Sequence, residues 1–424
     1  MNPVITGVGF ITPIGNDGAS VERSLREGRH GLEAVQFFGN PDLPLKVAGT
    51  VKGFQVDSPS WRDWTWPASY EIPKEALRSL APHGLYALCA VMQALADAGL
   101  RPEAVADEPR TGLYCASAGS AMLLHHNLAQ MRAAGGVRGN PMGVVSSIAG
   151  TLNFNLAAHF RITGTVCGFV SACASSSHAL GYAIDELRLG RLDRAIVIGA
   201  EEMNADSLLP FAHMRALSRE ADPRKASRPF DAARDGFVGA GGAVALVLET
   251  PAAALRRGAT ALAEAAGWGQ AADGYSVAAS HPQGAGLALA ITRALADAGV
   301  GAAQIDHVSA HATSTPVGDA AEAAALGRIF TAQGLRPRIS ATKGLTGHGL
   351  SVAGVLQAGI AALSIARGFT PGNPHLETPG PECDGLDLPR GASGEGPRRV
   401  LSNSSGFGGS NVCNVIAAVG PFPG

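Results

Sequence analysis

The segment Ala94-Leu95-Ala96-Asp97-Ala98-Gly99 recurs letter for letter as Ala294-Leu295-Ala296-Asp297-Ala298-Gly299. Each copy closes a helical pattern, and its Gly stands where a left-handed C-terminal cap is wanted. A short linker and then a strand signal follow each copy, near Gly112 in one case and near His307 in the other. Alanine is abundant in this chain, so coincidence is one account of the match. The other, adopted here, is an ancient duplication of an α/β unit. The seam then falls near residue 255, with an N-terminal half over 1–255 and a C-terminal half over 256–424. Catalytic loops from both halves can meet at such a junction.

Outward from the repeat, short apolar runs alternate with longer helical patterns, which reads as α/β. Residues 4–14 carry a strand signal ending in a Pro-Ile-Gly turn, and 112–116, 194–200 and 243–248 are further runs bounded by Gly or charge. Between them, 84–99 has helical spacing with Leu85, Leu88, Met92 and Leu95 on one face. Two stretches, 36–82 and 370–399, have weak periodicity and read as surface excursions rather than domains.

With 424 residues, 46% of them hydrophobic, the chain can bury one large core or two medium ones. Only 16% are charged and 5% aromatic, while Gly numbers 55, which points to tight turns and small packed side chains and excludes a disordered or fibrous chain. A net charge of −2 gives no bulk reason to expect nucleic acid or an anionic membrane as partner. The N-terminus lacks a basic region followed by an apolar run, so no secretory signal is expected. No stretch approaches the roughly 18 to 20 uninterrupted apolar residues of a membrane span. The six cysteines, at 89, 115, 167, 173, 383 and 413, include no pair with zinc-knuckle or redox spacing. A reducing cytoplasm is the expected compartment.

Residues 165–170 read as a buried strand, leading through Ser171-Ala172 to Cys173. Beyond it Leu180, Ala183, Ile184 and Leu187 follow helical spacing until Gly190. Cys173 therefore sits at a strand-to-helix turn, where unpaired N–H groups and the helix dipole favour a thiolate. Most cysteines in α/β proteins are inert buried thiols, and that is the reading for Cys89, Cys115, Cys167 and Cys413. The elbow also suits a serine nucleophile, but no G-x-S-x-G is present.

The run His307-Val308-Ser309-Ala310-His311-Ala312-Thr313-Ser314-Thr315-Pro316-Val317-Gly318-Asp319 reads as a strand emptying into a polar loop. Asp319 then opens a helix as its cap, with Glu322 completing a capping box. A second strand, 338–342, leads into Lys343-Gly344-Leu345-Thr346-Gly347-His348 and a helix over 352–367. A lone histidine in either loop would be structural. Two on strand-end loops of one half, with a lysine five residues before the second, are harder to dismiss. They lack the i, i+4 pairing of a helical zinc site, and no carboxylate completes a ligand set, so no metal is expected.

With the cysteine elbow, the H-x-T-x-T-P-x-G-D loop and the K-x-x-T-G-H loop in this order, the chain resembles the β-ketoacyl-[acyl-carrier-protein] synthases. The likeness runs nearly end to end, through Arg228-Pro229-Phe230-Asp231, Arg234-Asp235-Gly236-Phe237-Val238 and Ser402-Asn403-Ser404-Ser405-Gly406-Phe407-Gly408-Gly409-Ser410-Asn411. Gly239-Ala240-Gly241-Gly242 looks closer to the bacterial class I enzymes, because class II usually has an acidic residue there. The resemblance implies a thiolase-type fold: two similar α/β halves in a five-layered α-β-α-β-α arrangement, as a homodimer or a heterodimer with a homologous synthase. It implies that Cys173 accepts an acyl chain from acyl carrier protein. His311 and His348 would promote decarboxylation of a malonyl thioester and stabilise the enolate, and Lys343 would organise the histidine loop. Thr313 and Thr315 would hold the phosphopantetheine arm, which carries the substrates, so no cofactor is implied. Asp319 and Glu322 would support the loop, Phe407 would be the aromatic gate with its N–H in the oxyanion hole, and Phe211 would lie near the acyl pocket.

Three positions depart from the family pattern. Gln357 stands where a Glu near the lysine is usual, Ala312 follows the first histidine in place of Gly, and Ser405 replaces a common Phe two before the gate. Gln357 removes a charge that would favour cationic Lys343. Ser405 and Ala312 alter pocket volume, which would suit a specialised pathway such as polyene synthesis. Two rival readings share the fold. A thiolase needs a second cysteine in a C-x-G pattern, which Cys413 lacks. A non-catalytic chain-length-factor partner typically lacks the nucleophile that is present here.

Overall fold

The computed structural model describes residues 1–37, 40 and 42–420. Its main sheet contains β1 Val4–Ile11, β2 Thr111–Ala116, β3 Val166–Phe169, β4 Arg194–Glu201 and β5 Gly242–Glu249. It continues with β6 Ala263–Ala272, β7 His307–Ser309, β8 Arg338–Ser340, β9 Arg399–Gly406 and β10 Ser410–Ala417. The spatial order is β8-β7-β9-β10-β6-β1-β5-β4-β2-β3. Cut between β6 and β1, this becomes two five-stranded sheets with one internal order and one sense of pairing. In each, three outer strands are parallel and the two nearest the seam antiparallel.

Across the seam β1 and β6 pair only at Val4↔Glu264 and Ile5↔Ala263. Beyond these residues the backbone N–H groups of Val8 and Trp268 bond to side chains instead of strands. Asp97 Oδ2 accepts the first and Asp297 Oδ2 the second, each at 2.9 Å. These are the aspartates of the repeated hexapeptide, so the repeat has a physical basis. Each copy ends a helix on a strand, and a Cβ at Gly9 or Gly269 would lie 1.9 or 2.3 Å from that helix's backbone. Gly99 and Gly299 follow with φ of 67° and 65°, the left-handed caps expected of them.

The helices that set the layers are α1 Pro82–Asp97, α2 Ser175–Arg188, α3 Ala285–Asp297, α4 Pro316–Ile329 and α5 Ala353–Arg367. α1 covers one sheet, α3 and α4 the other, while α2 and α5 lie between them and touch strands of both. This is the five-layered thiolase-type α/β fold. By length and composition 350–367, which contains the helix expected over 352–367, could cross a bilayer. It is 78% buried, as a core helix between two sheets must be.

Three expectations need correction. The strand leading to the cysteine is not buried: β3 is an edge strand whose residues alternate between exposed and half-buried. Val166 faces outward and Val170 just beyond the strand is 71% exposed, while Cys167 and Phe169 pack against the core. The helix over 84–99 is not simply amphipathic, because α1 is buried on nearly all sides through its first ten residues. That burial follows from the third correction. The stretch 36–82 is more than a surface excursion: Val51, Phe54, Val56, Trp64, Leu77 and Leu80 are buried against α1. Phe38, Gly39 and Pro41 of that stretch lie outside the described residues.

α2 and α5 cross where Gly354 meets Ser177. A Cβ at Gly354 would lie 2.1 Å from Ser177 Oγ and 2.6 Å from its backbone N. Beside it Val355 N donates to Ser176 Oγ at 3.0 Å. Gly354→Ala is therefore expected to cost about 1–3 kcal/mol by overpacking, because its methyl would force the two helices apart where they touch. Denaturant melts check this, and an unchanged midpoint would sink it.

Candidate active site

Cys173 lies between β3 and α2, two residues before the helix starts. The elbow is tight: Ala172 has φ of 50°, Ser175 Oγ accepts from Ser171 N, and Ala174 N and Ser175 N bond back to Ser171 O and Ala172 O. The loop that carries Phe407 presses on it from the other half. A Cβ at Gly406 would lie 2.7 Å from Ser171 O and 3.1 Å from Cys173 N. Only glycine lets that backbone approach the nucleophile's N–H so closely.

The second histidine loop meets the cysteine directly. His348 Nε2 is 3.0 Å from Cys173 Sγ. Its backbone is clamped by Val238 O, which accepts from His348 N at 2.7 Å, and by Ala240 N, which donates to His348 O at 3.0 Å. This gives a role to the glycine-rich 239–242 stretch, which lies alongside the loop. Phe237 packs edge-on against the imidazole at 5.3 Å, and His311 lies at 5.3 Å on another side. Burial holds both histidines well below their usual pKa, and the Lys343 charge adds to the effect. Both are neutral at working pH.

Cys173 does not show the lowered pKa expected from its position. It is exposed only to the cavity, and burial pushes the thiol up to about 12, opposed by the charge of Lys343. The resting form is a thiol, with His348 Nε2 within hydrogen-bonding distance of its sulfur. The ligand atoms of Cys173, His311 and His348 all lie within 4.8 Å of one another. That spacing could suit a soft metal ion, but the buried Lys343 ammonium disfavours a cation beside it.

His311 is positioned by carboxylates, not by a capping box. α4 starts at Pro316 with Thr315 in the cap position, so Asp319 and Glu322 are inside the helix, three residues apart on its buried face. Glu322 accepts from His311 N at 2.9 Å and from Ala312 N at 2.6 Å. Asp319 accepts from Thr313 N at 2.9 Å and Phe230 N at 2.8 Å, with Arg234 3.6 Å away. Three consecutive loop amides, too far from any strand to pair, are thus satisfied by two side chains. Burial pushes Asp319 up to about 7 and raises Glu322 as well, against these hydrogen bonds.

Lys343 opens the short helix before His348 and is 3% exposed. Burial lowers it to about 8, while Glu322, Cys173 and Asp319 act to hold its proton. Its Nζ donates to Gln357 Oε1 at 2.9 Å. The Gln357 amide donates to Ser309 O at 2.9 Å and to Asn403 O at 3.0 Å. Gln357 is therefore a neutral bridge, and a carboxylate there would point an oxygen at two carbonyls.

A cavity of about 510 Å³ connects these groups to solvent. Cys173, His311 and His348 line it, as do Thr313, Thr315, Phe211 and Phe407. Thr313 and Thr315 share a hydrogen bond at 3.1 Å, and the rings of Phe211 and Phe407 lie 6.1 Å apart. Two residues given no role in the sequence reading belong here. Asn403 Nδ2 donates to Glu322 Oε1 at 3.0 Å. Glu201 is pushed by burial up to about 8 and accepts from Ser351 and from Ala118 N; only in its ionised form would it disfavour the thiolate. Asn403 lay inside a quoted motif, and a polar residue in an otherwise buried strand was its only signal.

Residues 1–254 match the N-terminal domain of β-ketoacyl synthase, and 262–377 match its C-terminal domain. The chain is 36% identical over 417 residues to 3-oxoacyl-[acyl-carrier-protein] synthase 1 of Escherichia coli K12, covering 97% of this chain and 98% of that protein. A crystal structure of a β-ketoacyl synthase from Burkholderia phymatum superposes with a TM-score of 0.89 at 32% identity, over 99% of this chain and 100% of that one. A type II polyketide ketosynthase, solved with its acyl carrier protein and a hexaketide, superposes with a TM-score of 0.86 at 25% identity, over 99% of both chains. The chain belongs to the β-ketoacyl synthase family, and is an acyltransferase of that family.

Proposed function

We propose that the chain condenses an acyl thioester held on Cys173 with malonyl-acyl carrier protein, giving 3-oxoacyl-acyl carrier protein and carbon dioxide. The observation that carries this is Cys173 Sγ at 3.0 Å from His348 Nε2, with a second neutral histidine beside it at the end of an open cavity.

In the first half-reaction the Cys173 proton moves to His348 as sulfur attacks the carrier-bound acyl group. The carrier thiolate leaves and takes that proton, so Cys173 ends as a thioester. The tetrahedral oxygen would sit at the N–H groups of Cys173 and Phe407, where the Gly406 approach brings the two loops together. In the second half-reaction the bond from the malonyl α-carbon to its carboxylate breaks. Its electron pair becomes an enolate, whose oxygen the two imidazoles meet as N–H donors, His348 after its ring proton has passed from Nδ1 to Nε2 by exchange with solvent. Neutral donors stabilise that oxygen without protonating the carbon. The carbon then attacks the acyl-Cys173 carbonyl and the cysteine sulfur departs. The electron pair comes from the substrate's own carbon–carbon bond, so the scheme calls for no metal or redox cofactor. Thr313 and Thr315 would hold the phosphopantetheine arm on the way in.

The partners are acyl carrier protein and a second synthase subunit, identical or homologous. The ketosynthase solved with its carrier supports the first. The open edge of β3 supports the second, together with exposed Val144, Ile148, Phe154 and Val170 around it. The half-and-half division of the chain near residue 255 and a cytoplasmic setting belong to the same reading. All six cysteines are free thiols.

Intact-mass measurement with acyl-acyl carrier protein is expected to show one acyl adduct on the wild type and none on Cys173→Ala, whose condensation falls by about 10⁴-fold or more. No adduct from any donor would sink the enzyme reading, leaving a non-catalytic partner. Gln357→Glu restores a negative charge beside Lys343, so the lysine should stay protonated above its present limit of about 8. The alkaline limb of malonyl decarboxylation should then move upward, while stability falls by about 1–3 kcal/mol as the carboxylate meets two carbonyls. A pH profile identical to wild type counts against Lys343 setting that limb. Val170→Asp should shift the sedimenting species toward monomer, and an unchanged species would place the subunit contact elsewhere.

A further inference from the structure

A polar part of the cavity wall, called its second arm below, lies beside the cysteine. Ser405 on β9 and Asn411 on β10 face each other across the hairpin, and Ser405 Oγ donates to Asn411 Oδ1 at 2.7 Å. Asn411 is 3% exposed, and its amide donates to Asp273 Oδ1 and to Gly409 O, each at 2.9 Å. The other Asp273 oxygen accepts from His281 N at 2.9 Å. Ser405, Asn411 and Asp273 all line the cavity, and Leu287 of α3 and Ala321 of α4 supply an apolar floor. Because Gly406 presses on Cys173 N, this arm opens next to the thioester carbon and not at the far end of an acyl chain.

The hydrogen bonds decide what the arm can recognise. The orientation of Asn411 is fixed, because a flipped amide would turn its oxygen toward Asp273 Oδ1 and Gly409 O, both acceptors. Both its amide hydrogens are therefore engaged, and its oxygen takes the single hydrogen of Ser405. What remains for a ligand is acceptor capacity, on Ser405 Oγ and on the Asp273 carboxylate. An acceptor-only wall carrying a negative charge rejects a carboxylate and favours a hydroxyl or ammonium. A phenylalanine at 405, common in the family, would put a ring in this space and remove the hydroxyl.

We propose that this arm is a subsite for thioesters bearing a hydrogen-bond donor, hydroxyl or amino, on the carbon next to the thioester carbonyl, and that Ser405 is the residue that admits it. The donor could arrive on the acyl unit bound to Cys173 or on the extender. The proposal rests on the ketosynthase reading but fails separately from it.

The test compares wild type, Ser405→Phe and Ser405→Ala in two arms. One measures Cys173 acylation by 2-hydroxyacyl-acyl carrier protein against the unsubstituted acyl donor of equal length. The other measures condensation of hydroxymalonyl- against malonyl-acyl carrier protein, with one unsubstituted primer. In at least one arm, which then identifies the source, the kcat/KM ratio of hydroxylated to plain substrate should fall roughly tenfold in Ser405→Phe. Ser405→Ala keeps the space but loses the acceptor, and should lose part of that ratio, about 3- to 10-fold. Ratios unchanged by both substitutions in both arms overturn the subsite, even with a normal Cys173 adduct. No adduct from plain donors overturns the subsite and the ketosynthase reading together.

Discussion

The crossing of α2 and α5 at Ser177 and Gly354 is the constraint on which the site depends. α2 begins just after Cys173 and α5 follows His348 after one short turn, so the distance between the thiol and the imidazole is set where these helices touch. Contact is close because one partner has no side chain, and a single methyl at Gly354 would overlap Ser177. Sandwiching both helices between two sheets removes their freedom to slide. Ser177 Oγ donates onward to Ser404 Oγ of β9 at 2.8 Å, which ties the crossing to the strand leading to Phe407. The chain's wealth of glycine and small side chains is what allows five layers to pack at this spacing.

Around that crossing the loops are held by buried polar groups, which is costly unless every one finds a partner. Glu322 illustrates how this is met. It takes two backbone N–H groups from the His311 loop and one from the Asn403 amide, so its burial is repaid in hydrogen bonds that fix the histidine. Lys343 is less completely compensated. Its nearest hydrogen-bond partner is the neutral Gln357, and the carboxylates that support its charge act from further away. The same ammonium acts on three groups at once, lowering both histidines and easing the thiol toward ionisation. Its protonation therefore couples Cys173 electrostatically to His311 and His348.

Much of this was legible in the sequence, for definite physical reasons. The hexapeptide repeat marked equivalent positions because Asp97 and Asp297 each take a strand N–H at the seam, so both the residue and its spacing are constrained. The long strands around 4–11, 194–201 and 242–249 were legible because they are almost wholly buried and their interiors are largely apolar. β3 misled for the opposite reason: an edge strand with exposed apolar residues has the composition of a buried one. The Asp319–Glu322 pair misled because the i, i+3 spacing of a capping box is also the spacing of two residues on one helical face. Sequence alone cannot tell which end of the helix they occupy. Asn403 and Glu201 went unassigned because their roles depend on which strands and loops lie beside them.

The position of Cys173 shows two local effects in opposition and which of them prevails. A helix N-terminus favours the thiolate by about 0.3–1 kcal/mol at exposed sites, whereas burial in this cavity pushes the thiol up to about 12. Burial wins in the resting protein. A permanently ionised cysteine would be open to oxidation and to any passing electrophile, while a buried thiol reacts only when its proton has somewhere to go. In the proposed scheme His348 at 3.0 Å provides that place, and its own depressed pKa would let it pass the proton on to the departing carrier thiolate. The helix end and Lys343 then contribute where they matter more, to the charge that develops as the acyl group arrives. The elbow read from the sequence as a site for a standing thiolate is better described as a site where the thiolate forms on demand.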